Sequence, residues 1–227
     1  IRAVVKDAIY HDIDVLGIED GFLGLIEDRV KPLAKDDVSN ILTYGGTILG
    51  SSNKANPQKY PVGTLPDGSP NFKDLTDVCM THMEIHGLQA LVVIGGDGTM
   101  SAAKPFTERG INCIGVPKTI DNDLWGTDIT FGFATAVSIA TEALDRVHTT
   151  AASHHRVMVV EVMGRNAGWI ALHAGVASGS DIILLPEIEF DLDEVARVCE
   201  QRSQHGKRFT IICCSEGAKP KGGKQLI

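Results

Sequence analysis

"LQALVVIGGDGT", residues 88–99, decides the fold. Leu91, Val92, Val93 and Ile94 follow one another with no polar residue between them. A strand with one wet face would alternate apolar and polar side chains, so this run reads as a strand buried on both faces of a parallel sheet. Paired glycines end it, and the residues after them read as a helix over 98–109. Strand, glycine turn and helix in that order form the repeating unit of parallel α/β sheets.

The same alternation extends in both directions. Upstream, "IRAVVKDAIY" reads as a helix, "DVLGIED" as a strand and "KDDVSNILTYGG" as a glycine-closed helix with Val38, Ile41 and Leu42 at helical spacing. Residues 73–87 form another helix. Downstream come a strand "INCIGVP", a helix over 133–152, a strand "RVMVVEVMG", a helix over 167–178 and a strand "DIILLP". The helix "LDEVARVCEQRSQHG" and the strand "RFTIICCSEG" complete the series. On the long helix Ala136, Ile139, Ala140, Ala143, Leu144 and Val147 share one stripe and are expected in the core. Residues 51–72, rich in proline and polar side chains, read as a loop too long for a plain connector.

Composition is that of a globular protein: 227 residues, 43% hydrophobic, 22% charged and 24 glycines. That length accommodates one large domain or two smaller ones. The net charge of −8 argues against nucleic acid or an anionic membrane as partner, while leaving room for an anionic substrate in a locally basic cleft. Cysteines 79, 113, 199, 213 and 214 contain no C-x-x-C pair and read as small buried hydrophobes in a reducing compartment. No stretch approaches the roughly 20 apolar residues of a membrane span, and no signal-peptide pattern is present. The cytoplasm is the expected location.

In open parallel sheets ligands bind beyond the carboxyl ends of the strands. Strand-end residues here include Gly95-Gly96-Asp97-Gly98-Thr99, Pro117-Lys118-Thr119-Ile120-Asp121-Asn122-Asp123, Met163-Gly164-Arg165 and Ser215-Glu216-Gly217. The first set combines close backbone approach with a helix N-terminus suited to an anion. An aspartate at the same place makes sense with a divalent cation between carboxylate and phosphate. In the second set, an extended chain would put Asp121 and Asp123 on one face, about 6.6 Å apart. Two carboxylates beside a polyphosphate require compensating cations, for which Lys118, Arg165 and Mg²⁺ are available. One aspartate can then serve the metal while the other accepts a proton from an attacking hydroxyl. His154-His155 reads as a helix-to-strand junction, and Trp125 and Trp169 as packing residues.

"VVIGGDGT" (92–99), "GVPKTIDND" (115–123), "GTDITFGFATA" (126–136), "SHHRVMVVEVMGRNAGWIA" (153–171) and "CCSEG" (213–217) together resemble the phosphofructokinases, in the expected order along the whole chain. The resemblance implies an α/β fold of two Rossmann-like three-layer domains with mainly parallel sheets. Residues 1–132 would form the phosphoryl-donor (ATP/Mg) domain and 133–227 the fructose-6-phosphate domain. It further implies a homotetramer or homodimer that transfers a phosphoryl group to the 1-hydroxyl of fructose 6-phosphate in glycolysis. Asp121 falls on the family's base, Asp97 and Asp123 on acids of the metal–phosphate cluster, and Thr119 on a residue touching sugar and transferring phosphate. Met163, Gly164 and Arg165 match the substrate loop, with Arg165 stabilising charge on the transferring group. Glu216 matches a carboxylate binding sugar hydroxyls, and Arg156 an arginine that grips the sugar phosphate of a neighbouring subunit. Gly96, Gly98 and Thr99 match the donor-phosphate loop.

Donor choice turns on two positions. Pyrophosphate-dependent members resembling this chain carry an aspartate where it has Gly98, and a lysine where it has Lys118. Gly98 leaves the path of a nucleotide α-phosphate open and uncharged, which favours ATP, whereas Lys118 is compatible with either donor. Asn53 stands where the family has an arginine near the donor phosphates, and Lys54 or Lys118 would supply the missing charge. The family's first strand and glycine-rich loop would precede Ile1, and further substrate residues would follow Ile227. The 227-residue piece is therefore expected to be truncated at both ends and inactive alone. A pyrophosphate-dependent enzyme and a non-catalytic sugar-phosphate-binding regulatory subunit remain the alternatives. The intact Asp97, Asp121, Asp123 and Arg165 count against the latter, and a NAD-kinase-type reading explains only GGDGT.

Overall fold

The structure, a computed structural model, describes residues 1–223. Two compact units divide it, Ile1–Val116 and Pro117–Ile227.

The first unit begins with α1 (Arg2–Tyr10), β1 (Leu16–Ile18), α2 (Phe22–Glu27) and β2 (Val30–Pro32), with β1 and β2 paired antiparallel. Strands β3 (Tyr60–Thr64) and β4 (Pro70–Lys73) form an antiparallel hairpin. Next come α3 (Thr76–Ile85), β5 (Ala90–Gly95), α4 (Asp97–Glu108) and β6 (Asn112–Thr119), which crosses into the second unit. The core packs Leu25, Cys79, Met83, Leu91, Val93 and Phe106, with the Phe22 and Phe106 rings stacked at 5.8 Å.

Three expectations fail in this unit. Residues 35–46 are turns, not a helix. Asp37 accepts from Ala34 N, the Ser39 hydroxyl donates to Lys35 O, and Asn40 sits at φ 58°, so short polar side chains satisfy the backbone locally and outcompete a helix. The long loop contains the β3–β4 hairpin, whose prolines sit in a small two-stranded sheet. Finally, β5 alternates: Leu91 and Val93 are buried, but Ala90 and Val92 are exposed. Its apolar run therefore fills one face only among the described residues.

The second unit adds β7 (Phe131–Gly132), α5 (Phe133–His154), β8 (Val157–Val162), α6 (Trp169–Ala177), β9 (Ile182–Leu184), α7 (Leu192–Gln204) and β10 (Thr210–Ser215). Lys118 and Thr119 at the end of β6 pair in parallel with Phe131 and Gly132, and Gly132 leads directly into α5. Compactness thus divides the chain 16 residues before the functional boundary expected from sequence. Strand order in the main sheet is β8–β10–β9, parallel throughout, with Val162 level with Ser215. This register brings the segments leaving β8 and β10 side by side.

Helix α5 presses Leu144 and Ala151 into a core with Phe133, Ile170, Ala174, Ile211 and Cys213. Ala136, Ala140 and Val147 of the expected stripe pack against that core, while Ile139 is exposed. The helix ends at His154, and His155 turns left-handed (φ 52°) before β8, the junction expected of this pair. All five cysteines are free thiols; burial pushes Cys79 up to about 12 and Cys213 up to about 11. Trp125 does not pack: it is fully exposed. Trp169 is half-exposed, its ring tilted against His173. Among the described residues no helix is long and apolar enough to cross a membrane.

Candidate active site

Strand β6 ends at Thr119, and the chain then turns instead of staying extended. Asn122 adopts φ 55°, a conformation that asparagine tolerates better than most residues. The turn is held from within. The backbone N–H of Thr130 donates to Asn122 Oδ1 at 2.8 Å, and its hydroxyl donates to Thr119 O at 2.8 Å. Thr130 itself is buried. The extended spacing expected for Asp121 and Asp123 is thereby replaced: the left-handed residue between them turns Asp121 inward, 8% exposed, and leaves Asp123 outside.

Asp121 is surrounded by charge from its own unit. Burial pushes its carboxyl above the ordinary aspartate range, the nearby Asp123 adds to that, and Glu216 contributes in the same sense. A hydrogen bond with the Thr119 side chain and the positive charge of Arg165 act in opposition. The Thr119 hydroxyl also accepts from the Asp121 backbone N–H at 3.2 Å. A partly desolvated carboxylate with raised proton affinity is a stronger acceptor for a hydroxyl proton than a solvated aspartate.

Beyond β8, Met163 is exposed and Gly164 is buried at φ 141°. Arg165 lies at φ 53° in a turn closed by Ala167 N–H donating to Gly164 O at 2.9 Å. A left-handed non-glycine residue costs about 1–2 kcal/mol. The structure offsets that cost with Glu216, whose Oε1 accepts from Gly164 N at 3.1 Å and from Arg165 N at 2.7 Å. At the far end of the loop Gly168 N donates to Glu187 Oε1 at 2.8 Å. A Cβ at Gly168 would stand 2.7 Å from Glu187 Oε2 and 2.9 Å from Leu185 Cδ2, so a larger residue there would displace those side chains.

Of the residues expected from sequence, the second unit brings together Thr119, Asp121, Asp123, Gly164, Arg165 and Glu216. Arg156 is not among them. It precedes β8, whose six residues put it about 20 Å from Arg165 along the strand. Lys118 is exposed on β6. In the first unit β5 ends at Gly95, Gly96 caps α4, and Asp97 occupies its first turn with Gly98 and Thr99 behind it. A Cβ at Gly98 would meet nothing within 4 Å, so the space beside this helix start is open. Asn53 and Lys54 lie exposed in the segment before β3.

Asn122, Thr130 and Glu187 have no individual role that the sequence assigns. Asn122 could have been suspected as the one neutral side chain between two acids in a turn. Glu187 carries no local signal, because its partner lies 19 residues away.

The Phosphofructokinase family model matches residues 1–227. The chain is 53% identical over 228 residues to the ATP-dependent 6-phosphofructokinase 2 of Clostridium perfringens, covering 100% of this chain and 62% of that one. It is 50% identical to the pyrophosphate–fructose 6-phosphate 1-phosphotransferase of Amycolatopsis mediterranei, covering 100% of this chain and 63% of that one. It thus spans about 62% of the length of the curated relatives it matches. The crystal structure of Pichia pastoris phosphofructokinase in the T-state superposes with a TM-score of 0.85 at 32% identity, covering 100% of this chain and 25% of that one. With the family model matched along its full length and its fold shared with a solved member, the chain belongs to the phosphofructokinase family.

Proposed function

We propose that the protein transfers a phosphoryl group from ATP to the 1-hydroxyl of fructose 6-phosphate, giving fructose 1,6-bisphosphate and ADP in the cytoplasm. The observation that carries this reading is Asp121: a buried carboxylate of raised proton affinity, with Thr119 bonded to it and Arg165 and Glu216 close by. As the sugar oxygen attacks, its proton passes to Asp121, and the Arg165 guanidinium stabilises the negative charge on the transferring group. Phosphoryl transfer asks mainly for positioning and electrostatic stabilisation, which these residues supply. Glu216 keeps one oxygen on the loop amides and offers the other to a sugar hydroxyl.

The donor set suits Mg²⁺. Among the described residues no cluster of three or more histidine, cysteine or acidic side chains forms a protein cage. Mg²⁺ typically takes one or two carboxylates and completes its shell with water and substrate phosphates. Asp97, in the first turn of α4, is exposed and fits that role in the first unit, as the exposed Asp123 after β6 does in the second. Mg²⁺ would neutralise charge on the donor phosphates. Gly96, Gly98 and Thr99 would take the phosphates, assigning the donor to the first unit and the sugar phosphate to the second. Arg156, remote from Arg165 in its own unit, fits a role in a neighbouring subunit's site, which requires a homodimer or homotetramer.

ATP is favoured by the open space at Gly98 and by the similarity to the ATP-dependent Clostridium relative. Pyrophosphate is the second reading, supported by Lys118 and by the Amycolatopsis relative. A coupled assay of the full-length protein with fructose 6-phosphate, run with ATP and then with pyrophosphate, decides between them. Turnover with neither donor would overturn the catalytic reading.

A further inference from the structure

We infer that Glu187 is a positioning residue for Arg165: it and Glu216 grip the 163–168 loop from two different strand ends and hold the arginine's backbone for phosphoryl transfer. This rests on the catalytic reading of Arg165 under the proposed function.

The loop leaves β8 at Val162 and enters α6 at Trp169. Its three anchored amides belong to Gly164, Arg165 and Gly168, and both acceptors are carboxylates. Glu216 lies just past β10 and Glu187 just past β9, the two strands next in order across the sheet from β8. Glu216 alone would fix only the first half of the loop. The other half is set by Gly168, which donates to Glu187 and packs against Leu185 and Pro186 so closely that a Cβ would collide. Between these two anchors Arg165 keeps its left-handed backbone (φ 53°). Carboxylate acceptors make stronger bonds to amides than neutral oxygens do, and Glu187 also places negative charge at the N-terminus of α6. The side chain of Glu187 remains solvent-accessible and makes no hydrogen bond to Asp121 or Arg165, so its effect passes through the loop backbone.

The test uses Glu187→Ala and Glu187→Gln in the full-length protein, each alone and with Arg165→Ala. Loss of the anchor should lower kcat about ten-fold or more while leaving KM for ATP unchanged, as expected for a misplaced transition-state contact. Glu187→Gln keeps an oxygen acceptor and should recover most of the rate. In the Arg165→Ala background Glu187→Ala should cost less than about two-fold further, because the two residues act as one unit. An equal loss in both backgrounds, or wild-type kcat in Glu187→Ala, would overturn the proposal. Amide hydrogen exchange at Gly168 and Arg165 reads the anchor without turnover: faster exchange in Glu187→Ala supports it, and unchanged exchange overturns it. If wild-type protein turned over no donor, the catalytic reading would fail while the exchange experiment still decided the anchor. Should Glu187→Ala fail to fold, Glu187→Ser, whose side chain is too short to reach the Gly168 amide, replaces it in each arm.

Discussion

Thr130 holds Asn122 in place: its backbone N–H meets Asn122 Oδ1 at 2.8 Å, and the buried hydroxyl caps Thr119 O at the same distance. Two residues outside the chemistry therefore set the direction in which Asp121 points. Thr130→Val keeps the shape but strands a carbonyl, so it should lower stability by about 1–3 kcal/mol in urea unfolding. Thr130→Ser should keep most of that stability. A valine variant as stable as wild type would show that the hydroxyl bond contributes nothing.

Asp121→Asn removes the proposed proton acceptor without changing volume. Its kcat should fall by about 10²–10⁴ with little change in KM for fructose 6-phosphate, the scale of a general-base loss. Near-normal kcat would remove Asp121 from the chemistry.

Acidity should limit the reaction at a higher pH than an ordinary aspartate would. The proposed base, Asp121, would work only when ionised, and burial together with Asp123 raises its folded-state proton affinity above the usual 3.8. Activity is therefore full above the raised value and lost as pH falls through it. The acid limb of kcat/KM, corrected for the separately measured ionisation of the sugar phosphate, reads this directly. A limb at the ordinary aspartate position would contradict the buried environment.

Gly98→Asp tests the donor. Nothing within 4 Å opposes a side chain there, and an acid near the start of α4 is compatible with the helix dipole, so the variant should fold. A carboxylate in the path of a nucleotide α-phosphate should depress kcat/KM for ATP by about ten-fold or more while sparing pyrophosphate, since one close like-charge pair is worth several kcal/mol at short range. Unchanged ATP kinetics would sink the steric and charge argument.

In the core of the second unit, Leu144 is 0% exposed on α5. Leu144→Ala should cost about 2–5 kcal/mol, measured by denaturant unfolding. A loss below that range would mean that the surrounding side chains collapse into the space.

Much of the architecture was legible because long apolar runs and glycine stops are local signals. The helices at 97–108, 133–154 and 192–204 and the strands at 90–95, 157–162 and 210–215 lie where periodicity put them. The turns at 35–46 were not legible, since Val38, Ile41 and Leu42 mimic a helix while Asp37 and Ser39 spend their polar groups on the backbone and Asn40 turns left-handed. Likewise the β3–β4 hairpin hid behind its prolines. At the site, acids and arginine announced themselves by residue type, but their arrangement did not. The turn at Asn122 depends on Thr130, eight residues on, and the posture of Arg165 depends on Glu216, 51 residues on. Such partners are set by the strand order, which a single sequence does not display.

That strand order also gives the site a birth sequence. A ribosome delivers the loop at 163–168 first, Glu187 next and Glu216 last, 51 residues after Arg165. At about 5–20 residues per second the nascent loop waits several seconds without its second anchor. Arg165 therefore settles into its left-handed posture only after β10 has emerged and slotted in beside β8, so the loop is set after the two helices and two strands that follow it in the chain.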